Sequence, residues 1–155
     1  MEIREMTFDD IYPVAEIEKE ASLTPWDANG LFTWWLRDDT LFLTAVDGTV
    51  PDGEDELPNV LGYVGAVLVP WEGDILNITV RKDMQRRGIG TLLMQELLRR
   101  LPEKGVTELH LEVRAGNAPA IALYGNFGFV RDGLRKGYYT DPCEDAVLMT
   151  RKERK

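Results

Sequence analysis

The first residues, Ile3-Arg4-Glu5-Met6, form a short alternating run that predicts an edge strand. Thr7 to Asp10 then supply capping side chains, and Ile11, Val14, Ala15 and Ile17 lay an apolar stripe at helical spacing that ends near Ala21. Pro13 is tolerated only in a first turn, so the regular helix starts near Asp10. Thr24-Pro25-Trp26 reads as a turn into a second short helix whose apolar surface is Leu31, Trp34 and Trp35. The run 41–46 predicts a buried strand, and two more strands are expected at 60–69 and about 74–80, separated by Pro70-Trp71-Glu72-Gly73. After Gly88 a strong helix carries Ile89, Leu92, Leu93, Leu97 and Leu98, and Gly105 stops the chain before a strand at 108–113. A helix over 118–127 follows, with Gly128 in the C′ position, and two final strands at about 131–139 and 144–151 flank Asp141-Pro142. The order β-α-α-β-β-β-α-β-α-β-β mixes hairpins with crossovers. It predicts an α/β fold of the α+β kind, one mixed, twisted sheet flanked by about four helices, with no internal repeat.

Between the strands at 41–46 and 60–69 the pattern stops. Residues 47–58 hold five acids, no base, two prolines and two glycines, a composition that predicts a solvated, mobile hairpin loop able to steer a basic substrate. The basic tail 151–155 reads as a frayed, solvated end.

Composition narrows the function. With 155 residues the chain is expected to be a single domain, 1–155, and 44% hydrophobic residues are enough for a sizeable core. Eighteen Lys+Arg against 27 Asp+Glu give a net charge of −9, which argues against phosphate-backbone binding as the main task, so no direct nucleic acid partner is expected. One cysteine allows no internal disulfide, and one histidine excludes a His-rich metal centre, so no metal is expected. No leader pattern or run of about 18 apolar residues occurs, which points to a cytoplasmic protein with no membrane partner.

The sharpest local signal is the passage from Val80 to Thr91. A strand enters a turn with Arg81, Lys82, Arg86 and Arg87, and a long helix begins at Gly88-Ile89-Gly90. A helix N-terminus offers free N–H groups and the positive end of a dipole, which suits a phosphate or pyrophosphate, and glycines let the backbone approach it. A capped helix start with surface arginines explains the same residues without a ligand. The turn is neither a Walker A sequence nor a three-glycine dinucleotide fingerprint.

Gln85-Arg86-Arg87-Gly88-Ile89-Gly90 resembles the Q/R-x-x-G-x-G/A acetyl-CoA motif of the GCN5-related N-acetyltransferase (GNAT) superfamily. Leu111-Glu112-Val113-Arg114, Asn117, Ala120, Leu123-Tyr124 and Gly128-Phe129 follow at the spacing of its RimI-type branch, which acetylates the N-terminal alanine of a small-subunit ribosomal protein. The Met6-Thr7 opening, the Thr24-Pro25-Trp26 turn, Gly137-Tyr138-Tyr139 and Glu144-Asp145-Ala146 extend the likeness over nearly the whole chain except 47–58. The resemblance implies an acetyl-CoA-dependent enzyme. Ile78, Thr79 and Val80 would pair with the pantetheine arm and acetyl group. Arg86, Arg87, Gly88, Ile89, Gly90 and Thr91 would hold the pyrophosphate, and Asn117 would touch the cofactor arm. Glu112 would be the general base and Tyr124 the acid that protonates the departing thiolate. Trp26, Tyr138 and Tyr139 are the candidates for binding the acceptor, a protein N-terminus, and the protein is expected to be a monomer or weak dimer. Gly116 departs from the pattern, since these relatives often have serine there.

Each candidate has a plainer reading. A half-exposed strand explains Glu112 and His110 opposite Leu109, Leu111 and Val113, and a tyrosine on an apolar helix such as Tyr124 is usually a core residue. Trp26, Tyr138 and Tyr139 could be packing residues, and Cys143 has no activating neighbour in sequence. Acetylation of a free small amine or a lysine, and a non-catalytic acetyl-CoA-binding adaptor, stay open at this point.

Overall fold

Seven strands make one sheet in the order β1-β2-β3-β4-β5-β7-β6 in the computed structural model, which describes residues 1–23, 25–48 and 57–153. Thr24, most of the acidic stretch (49–56) and the last two residues lie outside the described residues. In chain order the elements are β1 (Glu2–Glu5), α1 (Ile11–Ala21), α2 (Ala28–Trp35), β2 (Thr40–Val46), β3 (Val60–Val69), β4 (Glu72–Val80), α3 (Ile89–Arg100), β5 (Glu108–Arg114), α4 (Ala118–Asn126), β6 (Val130–Thr140) and β7 (Cys143–Lys152). This is the order and the mixed sheet that the hydrophobic pattern predicts.

The two sheet faces are covered by different helices. Ile89, Leu93, Met94 and Leu97 of α3 pack on Leu41, Leu43, Leu109, Leu111 and Val113, and Tyr124 of α4 joins the same cluster. On the opposite face Ile11, Val14 and Ile17 of α1 and Leu31 of α2 pack with Phe42, Val60 and Tyr63. Fully burying side chains such as Leu93, Met94 and Leu97 contributes about 1.5–3 kcal/mol each, which makes the α3 stripe a main anchor of the sheet.

One boundary differs from the sequence reading. The turn between β3 and β4 is only Pro70-Trp71, with Trp71 at φ 54, because Glu72 and Gly73 already pair with Val69 and Leu68. Gly73 is a strand residue here, since a Cβ at that position would meet Leu109 and Leu68 side-chain atoms at 3.0 Å. A glycine that signals a turn in sequence is demanded instead by close packing.

The feature that positions the site is where β4 and β5 part. They run parallel and pair only at Glu72↔Glu108, Gly73↔Leu109 and Asp74↔His110. Beyond Asp74, β4 continues to Val80 paired with β3 alone, and a register shift there leaves Leu76 without a β3 partner. β5 continues to Arg114 paired with β7 alone. The sheet therefore opens between the C-terminal halves of its two central strands.

Candidate functional site

The wall on the α3 side is made of backbone. Arg86 at φ 65 and Gly88 at φ 82 are both left-handed, which turns consecutive N–H groups inward as an anion-binding concavity does. A non-glycine residue held at positive φ is uncommon, and such positions gather at functional sites. Leu92 N–H is the donor to the Gly88 carbonyl at 3.0 Å, so the N–H groups of Ile89, Gly90 and Thr91 precede the helical ladder. No side chain caps the helix start. Gly90 sits between β4 and α4: a Cβ there would make ordinary contacts, 3.6 Å to Leu123 Cδ2 and 3.8 Å to Val80 Cγ2. Gln85 Nε2 donates to the Val80 carbonyl at 3.1 Å, tying the motif's first residue to the end of β4. Arg86 and Arg87 are exposed, whereas Arg81 is occupied by Asp83 at 2.6 Å and Asn59 at 2.8 Å. The residues present fit a pyrophosphate: free donors, a positive dipole end and two exposed guanidinium groups converge on one turn.

The opposite face of β5 carries a second wall made of side chains. Leu109, Leu111 and Val113 point into the α3 core, so His110 and Glu112 face the other way. They line a cleft of about 780 Å³ together with Asp132, Arg135, Tyr138 and Tyr139 of β6 and Asp74 of β4. Arg135 Nη1 lies 3.6 Å from Glu112 Oε1. Hydrogen bonding to Glu112, then burial, raises the Tyr138 phenol above its ordinary range. Burial first, then the Glu112 charge, does the same for Tyr139, whose ring lies under the Arg114 guanidinium at 4.2 Å.

Tyr124 is buried beside Phe129, ring centroids 5.7 Å apart, and burial raises its phenol far above the usual value, followed by Tyr139. Its hydroxyl bonds to no described residue. Every sealed side-chain polar atom among the described residues has a partner, so this hydroxyl reaches open space. Asn117 caps α4, its side-chain oxygen accepting from Ala120 N–H at 3.2 Å. The Gly116 departure has a local cause: its N–H donates to Glu144 Oε2 at 2.5 Å, and a Cβ at 116 would come within 2.6 Å of that oxygen. A serine would have to displace Glu144, which Arg114 also holds at 3.3 Å.

Glu112, Tyr138 and Tyr139 thus share one cleft, and Val80 and Gly90 meet across the α3 turn. Trp26 lies apart from both, half-buried, stacked on Trp34 at 6.1 Å and edge-on to Phe42 at 6.4 Å. Three contributors escape the sequence reading. Arg135 gives no signal there, because no local pattern shows which strand will lie beside Glu112. The chain His110 Nδ1 to Thr150 Oγ1 (3.0 Å) to Asp132 Oδ2 (2.5 Å) spans three strands and is equally hidden. Glu18 does leave a trace, a charged residue four positions after Val14 on an apolar stripe, and it is fully buried.

The sequence matches the acetyltransferase (GNAT) family over residues 4–129. A Salmonella typhimurium (strain LT2) protein named [ribosomal protein bS18]-alanine N-acetyltransferase is 36% identical over 143 residues, covering 90% of this chain and 89% of its own. The crystal structure of the ribosomal-protein-S18-alanine N-acetyltransferase from Escherichia coli is similar with a TM-score of 0.84 at 31% identity, covering 99% of this chain and 94% of that one. Arabidopsis thaliana NAA60 in complex with acetyl-CoA shares the fold, with a TM-score of 0.84 at 22% identity and 97% of each chain covered. No helix among the described residues is long and apolar enough to cross a membrane.

Proposed function

The chain belongs to the acetyltransferase (GNAT) family, and from that premise we propose that it moves an acetyl group from acetyl-CoA to the N-terminal α-amine of a protein, the N-terminal alanine of a small-subunit ribosomal protein. The observation that carries this reading is Glu112, set on β5 past the point where β4 leaves it, facing an open cleft between Tyr138 and Tyr139. The relatives named for ribosomal-protein alanine supply the acceptor.

Acetyl transfer needs a neutral amine. An α-amine, with a pKa of about 7.7–8.0, costs roughly 1 kcal/mol to deprotonate at pH 7, whereas a lysine at about 10.4 costs roughly 4.6 kcal/mol. One carboxylate suffices for the first task, and Glu112 takes the proton as the amine nitrogen bonds to the thioester carbonyl carbon. Tyr124 gives its proton to the sulfur as the C–S bond breaks, and both groups are reset through solvent. The high phenol pKa that burial imposes keeps Tyr124 in its donor form through the working pH range. Backbone N–H groups of Gly88, Ile89, Gly90 and Thr91 with Arg86 and Arg87 hold the pyrophosphate, while Ile78, Thr79 and Val80 offer their unpaired edge, and Asn117 flanks the arm. No enzyme nucleophile is needed, so holding the two reactants together supplies much of the acceleration.

Mass spectrometry of ribosomal proteins from cells lacking the gene tests this. One small-subunit protein should lose a single N-terminal acetyl group and regain it when the gene is restored. An unchanged set of N-termini would contradict the assignment.

A further inference from the structure

Glu18 is the residue that the hydrophobic pattern explains least. Its side chain is fully buried on the apolar stripe of α1, and the partners it has are neutral donors. Oε1 accepts from the Tyr63 hydroxyl at 2.6 Å, Asn77 Nδ2 at 2.7 Å and the Thr79 hydroxyl at 2.8 Å. Oε2 accepts from the backbone N–H of Trp26 at 3.3 Å. Burial, then Glu18 itself, holds the Tyr63 phenol well above its ordinary range, so Tyr63 remains a donor. A buried polar group is kept only when its hydrogen bonds are met, and here they are met by four donors from three separate parts of the chain.

The two oxygens serve different addresses. Oε1 holds β3 and β4, and its β4 partners Asn77 and Thr79 lie on the stretch that has no β5 neighbour. Asn77, with its amide nitrogen committed to Glu18, turns its oxygen to the Ile78 N–H at 3.0 Å, beside the unpaired Leu76. Oε2 holds the segment between α1 and α2 at Trp26. We propose that Glu18 is a positioning residue that fixes this Trp26 segment against the free edge of β4, and so sets the separation at which amine and thioester meet. This rests on the proposed function in placing the acceptor beside Trp26.

A carboxylate suits the task and an amide does not. If glutamine keeps its oxygen on the three β3 and β4 donors, its NH₂ faces the Trp26 N–H, donor against donor. Glu18→Gln therefore releases Trp26 while leaving β4 in place. A displacement of about 1 Å at a reacting centre can cost on the order of 10²-fold. In Glu18→Gln, kcat/KM for an alanine-starting peptide should fall about 10–100-fold, mostly through KM, with the acetyl-CoA dissociation constant within about twofold of normal. Glu18→Asp, too short to reach both addresses, should show the same split. Wild-type kcat/KM in folded Glu18→Gln would overturn the proposal. So would an equal loss of acetyl-CoA and peptide binding, which marks a general stability role. Amide hydrogen exchange of the unaltered protein gives a reading that needs no variant. The Trp26 N–H should be protected like the β4 amides, and exchange at the free-chain rate would overturn the proposal. If the unaltered protein acetylates no N-terminal peptide, the proposed function fails, and Trp26 exchange still decides whether Glu18 holds that segment.

Discussion

The turn before α3 and the cleft around Glu112 stand on either side of the gap between β4 and β5, and they are built by opposite means. The turn is contiguous, residues 80–91, and its binding groups are backbone N–H donors exposed by Arg86 at φ 65 and Gly88 at φ 82. The cleft draws single side chains from β4, β5 and β6, which meet only because the sheet order places β7 and β6 beside β5. A backbone-built site is insensitive to most side-chain changes and sensitive to glycine. A side-chain-built site is the reverse. That contrast makes the two halves separable by mutation.

The largest effect should come from the cleft side and its partner acid. Glu112→Gln keeps shape and cannot accept a proton, and Tyr124→Phe keeps the ring and cannot donate one. Each should lower turnover about 10²–10⁴-fold in steady-state assays while acetyl-CoA affinity is retained. The Glu112→Gln defect should shrink as pH rises toward 9, where an α-amine of pKa about 8 is already neutral. The Tyr124→Phe defect should persist there, because protonating the leaving thiolate gets no easier in base. Full activity in both variants would remove this pair from the reaction.

On the turn side the contrast inverts. Gly88→Val forces a branched side chain into a left-handed conformation that costs about 1–2 kcal/mol and turns the N–H groups away, so calorimetry should show acetyl-CoA affinity reduced at least about tenfold. Gly90→Ala, whose Cβ meets only ordinary contacts, should bind nearly as the parent does. Equal losses in the two would mean that packing rather than backbone conformation makes the turn.

How much of this was legible follows the same division. The α3 turn could be read because its determinants are neighbours in sequence. The helices could be read because Val14, Ile17, Leu93 and Leu97 keep the helical period. Glu112 was legible as a position on a half-exposed strand, and its function only by resemblance. Arg135 and the His110–Thr150–Asp132 chain were not, since cross-strand neighbours depend on register that no local pattern states. Glu18 was visible as an anomaly, but its four donors come from residues 26, 63, 77 and 79 and assemble only in the fold.

Two smaller effects sharpen the comparison. Arg135 is more than half exposed, and its ion pair with Glu112 is correspondingly screened, worth about 0–1 kcal/mol. Arg135→Gln should change peptide kcat/KM by no more than about fivefold and leave acetyl-CoA affinity alone. Glu96, on α3 away from both walls, is held down to about 2 by hydrogen bonds from Arg99 and Arg100. A carboxylate lowered in the folded state stabilises fully above its ordinary value near 4.5, and this contribution is lost as pH falls toward 2. Solvent screening keeps it small, so Glu96→Gln should cost at most about 0.5 kcal/mol in denaturant melts at pH 7, less at pH 3, with both binding constants unchanged.

The central claim is that the cleft receives a protein N-terminus. Its most direct test is a side-by-side rate measurement on an alanine-starting peptide and on the same peptide with its N-terminus blocked and a lysine supplied. The α-amine peptide should be acetylated and the blocked twin should react at a small fraction of that rate, because Glu112 has roughly 1 kcal/mol of deprotonation to offset in the first and roughly 4.6 in the second. Comparable rates on the two would contradict the N-terminal assignment and make the protein a lysine acetyltransferase.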